Sequence, residues 1–145
     1  MQLISLDKLK RITLGGNDDI TKKFIALYII SEKYKIWLQD KQKEYDILYP
    51  LYDEEGNTIH YSDDKDKENY KPNFEEWLNN LDEDKQFSYN PTDEEIDDIF
   101  NNVLWRERRI AKYGNLNDQL DEIYHDYEGW RNRIAQIKKE IPKPE

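Results

Sequence analysis

The chain contains no cysteine, so disulfides, thiolate metal ligands and a cysteine nucleophile are all excluded. Histidine is scarce too: His60 and His125 stand far apart in 145 residues. Neither has partners at metal-ligand spacing, and no HExxH pattern occurs. Gly15-Gly16 is not followed by Gly-Lys-Ser/Thr, so it reads as a turn rather than a phosphate cradle. A Gly-x-Ser-x-Gly elbow is also missing. No stretch approaches the ~18 consecutive apolar residues of a membrane helix. The amino terminus, MQLISLDKLKRITLGG, lacks the apolar core of a signal peptide, which gives the expectation of a soluble, cytoplasmically made protein. An excess of positive charge is lacking as well. The balance is 22 Lys+Arg against 32 Asp+Glu, a net −10, and direct nucleic-acid binding is not expected.

What the chain does have is charge and aromatic rings. Charged residues make up 37%, mean hydropathy is −1.11, and there are 11 Tyr, 4 Trp and 4 Phe. Tyr and Trp present an apolar body with a polar tip, which suits half-buried surfaces and partner contacts. The length fits one domain, or one domain with an appendage. This balance predicts an elongated, mainly α protein that completes its burial in an assembly.

Leu3, Ile4, Leu6 and Leu9 can form a short first helix or an extended arm. From Asp18 to about Leu48 the pattern predicts a long helix, with Ile20, Phe24, Leu27, Tyr34, Leu38, Tyr45 and Leu48 on one stripe. Ile25, Ile29 and Ile36 lie off that stripe. They are candidate partner contacts, set against the plainer reading of an ordinary core helix. Residues 49–62, YPLYDEEGNTIHYS, predict one small β-hairpin around Glu55-Gly56-Asn57. Asp63 to Pro72 reads as a solvated loop. Asp63, Asp64 and Asp66 there lack the Gly and distal Glu of an EF-hand.

Asn73 is a candidate cap for a helix bearing Phe74, Trp77, Leu78 and Leu81. Thr92 and Glu95 have capping-box spacing before a helix with Ile96, Ile99, Phe100, Val103 and Leu104. Arg106, Arg108, Arg109 and Lys112 fall at its end, where the helix dipole favours cations. Gly114 is placed to stop that helix and Asn115 to cap the next. Leu116, Leu120, Ile123, Tyr124 and Tyr127 then define one short helix. Trp130, Ile134, Ile137 and Ile141 define the last, with a break at Gly129 or its neighbours. The two form a C-terminal αα-hairpin with Trp130 in the angle. The expected organisation is a helical body over 1–112, including the hairpin, and a C-terminal module over 113–145.

The run from Tyr113 to Pro144 resembles the C-terminal segment of small structural and tail-accessory proteins of tailed bacteriophages. The resemblance lies in Tyr113, Gly114, Leu116, Asp118, Gln119, Leu120, Asp121, Ile123, Tyr124, Trp130, Ile134, Ile137, Lys138 and Pro142. Asn115 stands where Ser is usual, and either can cap a helix. It covers under a third of the chain. It implies a virion protein, tail- or connector-associated, that contacts other phage structural proteins or itself. Leu120, Tyr124 and Trp130 are the expected anchors, with Ile25, Ile29 and Ile36 as further contacts. No catalytic, cofactor-binding or metal-ligating residue is expected. Two other readings stand beside this one: a tail-fibre assembly chaperone not retained in the particle, and an acidic DNA mimic that inhibits a host protein. The interleaved Lys and Arg count against the mimic.

Overall fold

The computed structural model describes residues 2–145 and is mainly helical. Its α-helices among the described residues are α1 (Leu6–Thr13), α2 (Asp18–Leu48), α3 (Phe74–Asn79), α4 (Asp93–Asp98), α5 (Trp105–Tyr113), α6 (Leu116–His125) and α7 (Tyr127–Glu140). They divide into two compact units. The first comprises residues up to Glu32 together with Asn90–Glu145, and the second is Lys33–Tyr89. The partition therefore differs from a break at residue 113: α7 packs on α5, and residues 113–145 belong to the first unit.

The first unit has an aliphatic core of Ile4, Leu9, Ile25, Ile29, Leu104, Ile137 and Ile141, with Phe100. Ile25 and Ile29 are thus core residues rather than free contact surface, at 0% and 5% exposure. The stripe expected to face the core is displaced, since Ile20, Leu27 and Leu48 are all exposed. Hydroxyl residues explain the difference. Thr13, Thr21 and Ser31 are buried beside the aliphatics. Thr13 Oγ1 donates to Leu9 O at 2.8 Å, and Ser31 Oγ donates to Leu27 O at 2.9 Å. Ser31 Oγ also accepts from Ile4 N at 3.0 Å, pinning the chain before α1 to α2. A hydroxyl bonded to the preceding turn, as in Thr13 and Ser31, can be buried without loss; Thr21 is buried too, so the face Thr21–Ile25–Ile29 is invisible to a count of apolar residues.

The helix expected from Thr92 onward is interrupted. The Thr92–Glu95 capping box forms at 3.1 Å in both directions and starts α4. A π-turn, Ile99–Val103, then separates α4 from α5, with Leu104 N donating to Ile99 O at 3.0 Å. The widened turn puts both Phe100 and Leu104 in the core. Arg108 lies over the Phe100 ring at 3.6 Å, and its Nη1 donates to Phe100 O at 3.2 Å. Burial lowers the Arg108 pKa, against the opposing pull of Asp18.

The second unit is held by rings. Tyr49, Phe74 and Trp77 surround Tyr45 with centroids 5.3, 5.5 and 5.6 Å away. A second group joins Tyr34, Trp37 and Phe87. The polar tips close onto backbone: Tyr45 OH donates to Pro72 O at 2.7 Å and Tyr61 OH to Pro50 O at 2.8 Å. Tyr70 OH donates to Glu76 Oε2 at 2.6 Å, and that bond pushes the phenol up to about 12. The same bond, followed by the Lys65 ammonium, holds the Glu76 carboxyl below its ordinary value. Asn73 caps α3 through Glu76 N at 2.8 Å.

The expected β-hairpin is reduced to its turn, and no strand forms among the described residues. Asp53 Oδ1 accepts from Glu55 N and Asn57 N at 2.9 Å, and Gly56 sits at φ +85°. One antiparallel bridge, Tyr52–Thr58, follows. Its ladder ends there because Leu51 and Tyr52 are exposed and no third strand covers them. Beyond it, Ser62 pairs with Tyr70 in a parallel bridge instead of extending the hairpin. Asn69 Nδ2 meanwhile donates to His60 O at 2.8 Å.

Candidate functional site: the outer face of the C-terminal helix pair

The local sequence builds the α6–α7 pair with little slack. Gly114, at φ +87°, ends α5 in a conformation that L side chains rarely adopt. Asn115 Oδ1 then accepts from Asn117 N at 2.7 Å and starts α6, as expected. The break between the two helices falls at Asp126 rather than Gly129. Asp126 ends α6 and its Oδ1 accepts from Gly129 N at 3.0 Å, which starts α7. A Cβ on residue 129 would collide with the Asp126 carboxylate, so Gly129 lies inside the helix for room, not as a breaker.

Arg133 braces the pair. Its Nε and Nη2 bind the Glu122 carboxylate at 2.9 and 2.7 Å, a two-pronged grip that fixes α7 on α6. Its Nη1 and Nη2 also donate to Lys112 O and Tyr113 O at 3.0 and 2.9 Å, satisfying carbonyls left over at the end of α5. The hydrogen bond from Arg133 holds the Glu122 carboxyl below its ordinary value, and the same contact raises the guanidinium. Arg109 Nε reaches Ile141 O at 2.7 Å. Two members of the basic cluster, Arg108 and Arg109, are therefore committed to carbonyls of the chain itself.

Trp130 is half-buried and turned inward, its Nε1 donating to Gln119 Oε1 at 3.2 Å. It braces the pair rather than offering a free anchor. The other two expected anchors face outward: Leu120 is 54% and Tyr124 86% exposed. Leu116 precedes Leu120 by one turn and is 69% exposed; Tyr127 opens α7 at 55%. Residues at i, i+4 and i+8 share one helix face, so Leu116, Leu120 and Tyr124 make a continuous outer ridge. Leu116 and Tyr127 were missing from the expected contact set, though the four-residue spacing was in the sequence. Ile36, on the part of α2 in the second unit, is also exposed, at 54%, and stands apart from this ridge in the chain.

An apolar groove lies elsewhere, in the second unit. It measures about 550 Å³ between Ile47, Leu48, Trp77 and Leu81, with Lys41, Glu44 and Lys85 at its edges. Lys41 Nζ pairs with Glu44 Oε2 at 2.9 Å there. Among the described residues no group of His, Cys, Asp and Glu is arranged to hold a metal ion, and no helix is long and apolar enough to cross a membrane. No family model, curated protein or solved structure matches the chain.

Proposed function

We propose that the protein is a non-enzymatic structural component of a tailed-bacteriophage particle, tail- or connector-associated, working through protein–protein contacts. One observation carries the contact role: Leu116, Leu120 and Tyr124 stand exposed on a helix that Arg133, Asp126 and Gly129 hold rigidly from behind. A large apolar ridge on a chain this polar costs solubility unless something covers it. Tyr is also a residue type enriched at the centre of interfaces. The phage context rests on the resemblance of Tyr113 to Pro144 and on nothing else.

Removing the C-terminal segment is a poor test, because Ile137 and Ile141 belong to the core of the first unit. Quantitative mass spectrometry of purified particles is better. A fixed copy number per particle supports the reading. Absence from particles that nevertheless require the protein for assembly favours the chaperone; no link to particles or their assembly overturns both.

A further inference from the structure

The charge around the α6 ridge specifies its partner. From Gly114 to Gly129 the chain carries Asp118, Asp121, Glu122, Asp126 and Glu128, and neither Lys nor Arg. Glu122 is neutralised by Arg133 at 2.7 Å, and one oxygen of Asp126 is occupied by the Gly129 N–H. Asp118, Asp121 and Glu128 remain exposed, and no ion pair with Lys or Arg is formed by them among the described residues. Asp121 sits one position after Leu120 and three before Tyr124, along the edge of the ridge. Glu128 follows Tyr127. The bases that bracket the segment are Lys112 on one side and Arg131 on the other.

We infer that the outer face of α6, with Tyr127, docks a basic amphipathic helix of a partner protein. That helix presents apolar residues at i, i+4 and i+7 to Leu116, Leu120 and Tyr124, flanked by Lys or Arg that meet Asp121 and Glu128. Helix-on-helix docking of this kind is read through such spaced anchors. Charge complementarity along the rim then sets partner choice and the rate of encounter. A second copy of the chain fits worse. It would set Asp121 and Glu128 against acidic counterparts, on a molecule already at −10. The inference rests on the contact-face reading above and adds the chemistry of the partner.

The test uses the full-length, ¹⁵N-labelled protein and three designed peptides. One has Leu at i, i+4, i+7 and i+11 with Lys elsewhere. The second keeps the Leu ridge with Glu elsewhere. The third has the composition of the first but a scrambled ridge. The first peptide is expected to shift amides of Leu116–Tyr127 saturably, with affinity falling about tenfold on raising salt from low to physiological strength. Leu120→Ser/Tyr124→Ser weakens it about tenfold or more, and Asp121→Asn/Glu128→Gln weakens it several-fold and flattens the salt dependence. Ile47→Ser, in the other unit, leaves it unchanged. Equal binding of the Glu peptide or the scrambled peptide overturns the inference. So do shifts mapping outside α6, or concentration-dependent self-association through the same amides. If the Lys peptide fails yet Leu120→Ser/Tyr124→Ser is lost from particles, the basic partner falls and the contact face stands. If the peptide binds as described but the protein never associates with particles or their assembly, the phage reading falls and the basic partner stands.

Discussion

The two units solve the same problem with different materials. The first buries aliphatic side chains almost completely: Leu9, Ile25 and Leu104 are at 0% exposure, and the hydroxyls of Thr13, Thr21 and Ser31 are folded in among them. The second buries Tyr45 and leaves its other clustered rings half-buried, relying on phenol tips bonded to backbone carbonyls. Aliphatic side chains have no polar atom to satisfy and can close fully, with the buried Thr13 and Ser31 hydroxyls bonded to backbone among them. An aromatic cluster in a chain rich in Tyr keeps its edges wet and is fixed by hydrogen bonds instead. Stability should therefore concentrate in the first unit, and pH sensitivity at both extremes in the second.

The largest effect is expected from Leu104→Ala or Leu9→Ala. Each empties a closed aliphatic site and should lose about 2–5 kcal/mol in chemical denaturation. A loss no larger than that of a surface substitution would break the contrast. Next comes Ser31→Ala, which leaves the buried Ile4 N–H without its acceptor and should lose about 1–3 kcal/mol. Tyr45→Phe removes only the bond to Pro72 O and should lose about 0.5–1.5 kcal/mol. Its effect in hydrogen exchange should stay within the second unit.

Titration sharpens the comparison further. The Glu122 carboxyl, held down first by Arg133, contributes stability that is complete above its ordinary 4.5 and lost as pH falls through the lowered folded value. Glu76 behaves the same way in the second unit, held down first by Tyr70. Tyr70 itself is raised from 10.0 to about 12, so its contribution is complete below pH 10.0 and disappears as pH rises toward about 12. Both units should thus loosen in acid. In alkali, amides around Tyr70 and Glu76 should lose protection while those around Glu122 and Arg133 keep theirs, which hydrogen exchange followed by NMR can resolve. Tyr70→Phe should reduce the alkaline limb to what Tyr45 contributes, whose phenol is also pushed up by burial, and leave the acid limb of Glu122 intact.

How far the sequence led depended on whether a signal was local. The bounds of α2, the Asn73 and Asn115 caps, the Thr92–Glu95 box and the Gly114 stop each follow from one or two residues and their immediate backbone, and all are present. The long-range features were hidden. Thr21 and Ser31 look polar in sequence, yet Thr21 shares the buried face of α2 with Ile25 and Ile29, and Ser31 is buried against Ile4; so the sequence leaves Ile25 and Ile29 open between core and partner contact. Nothing in Ile99–Val103 marks a π-turn, which exists to bring Phe100 and Leu104 inward together. The hairpin turn is legible in Glu55-Gly56-Asn57, with Asp53 closing it in the structure, but strands need neighbours, and none is supplied. Leu120 and Tyr124 share an exposed face of α6, and that they share a face follows from their four-residue spacing. Trp130 lies in the angle of the helix pair, as the pattern implies, but its N–H turns to Gln119, which an aromatic on an amphipathic helix gives no sign of.

The smallest effect on folding is expected at the proposed contact face. Leu120→Ser/Tyr124→Ser changes exposed side chains only, so its unfolding free energy should stay within about 0.5 kcal/mol of the parent per site. The direct test is the copy number of this double variant in purified particles, measured beside the parent protein at matched expression. A contact role for the α6 ridge in the particle predicts a fixed copy number for the parent and loss of the variant. A variant retained at the parent's copy number would contradict it.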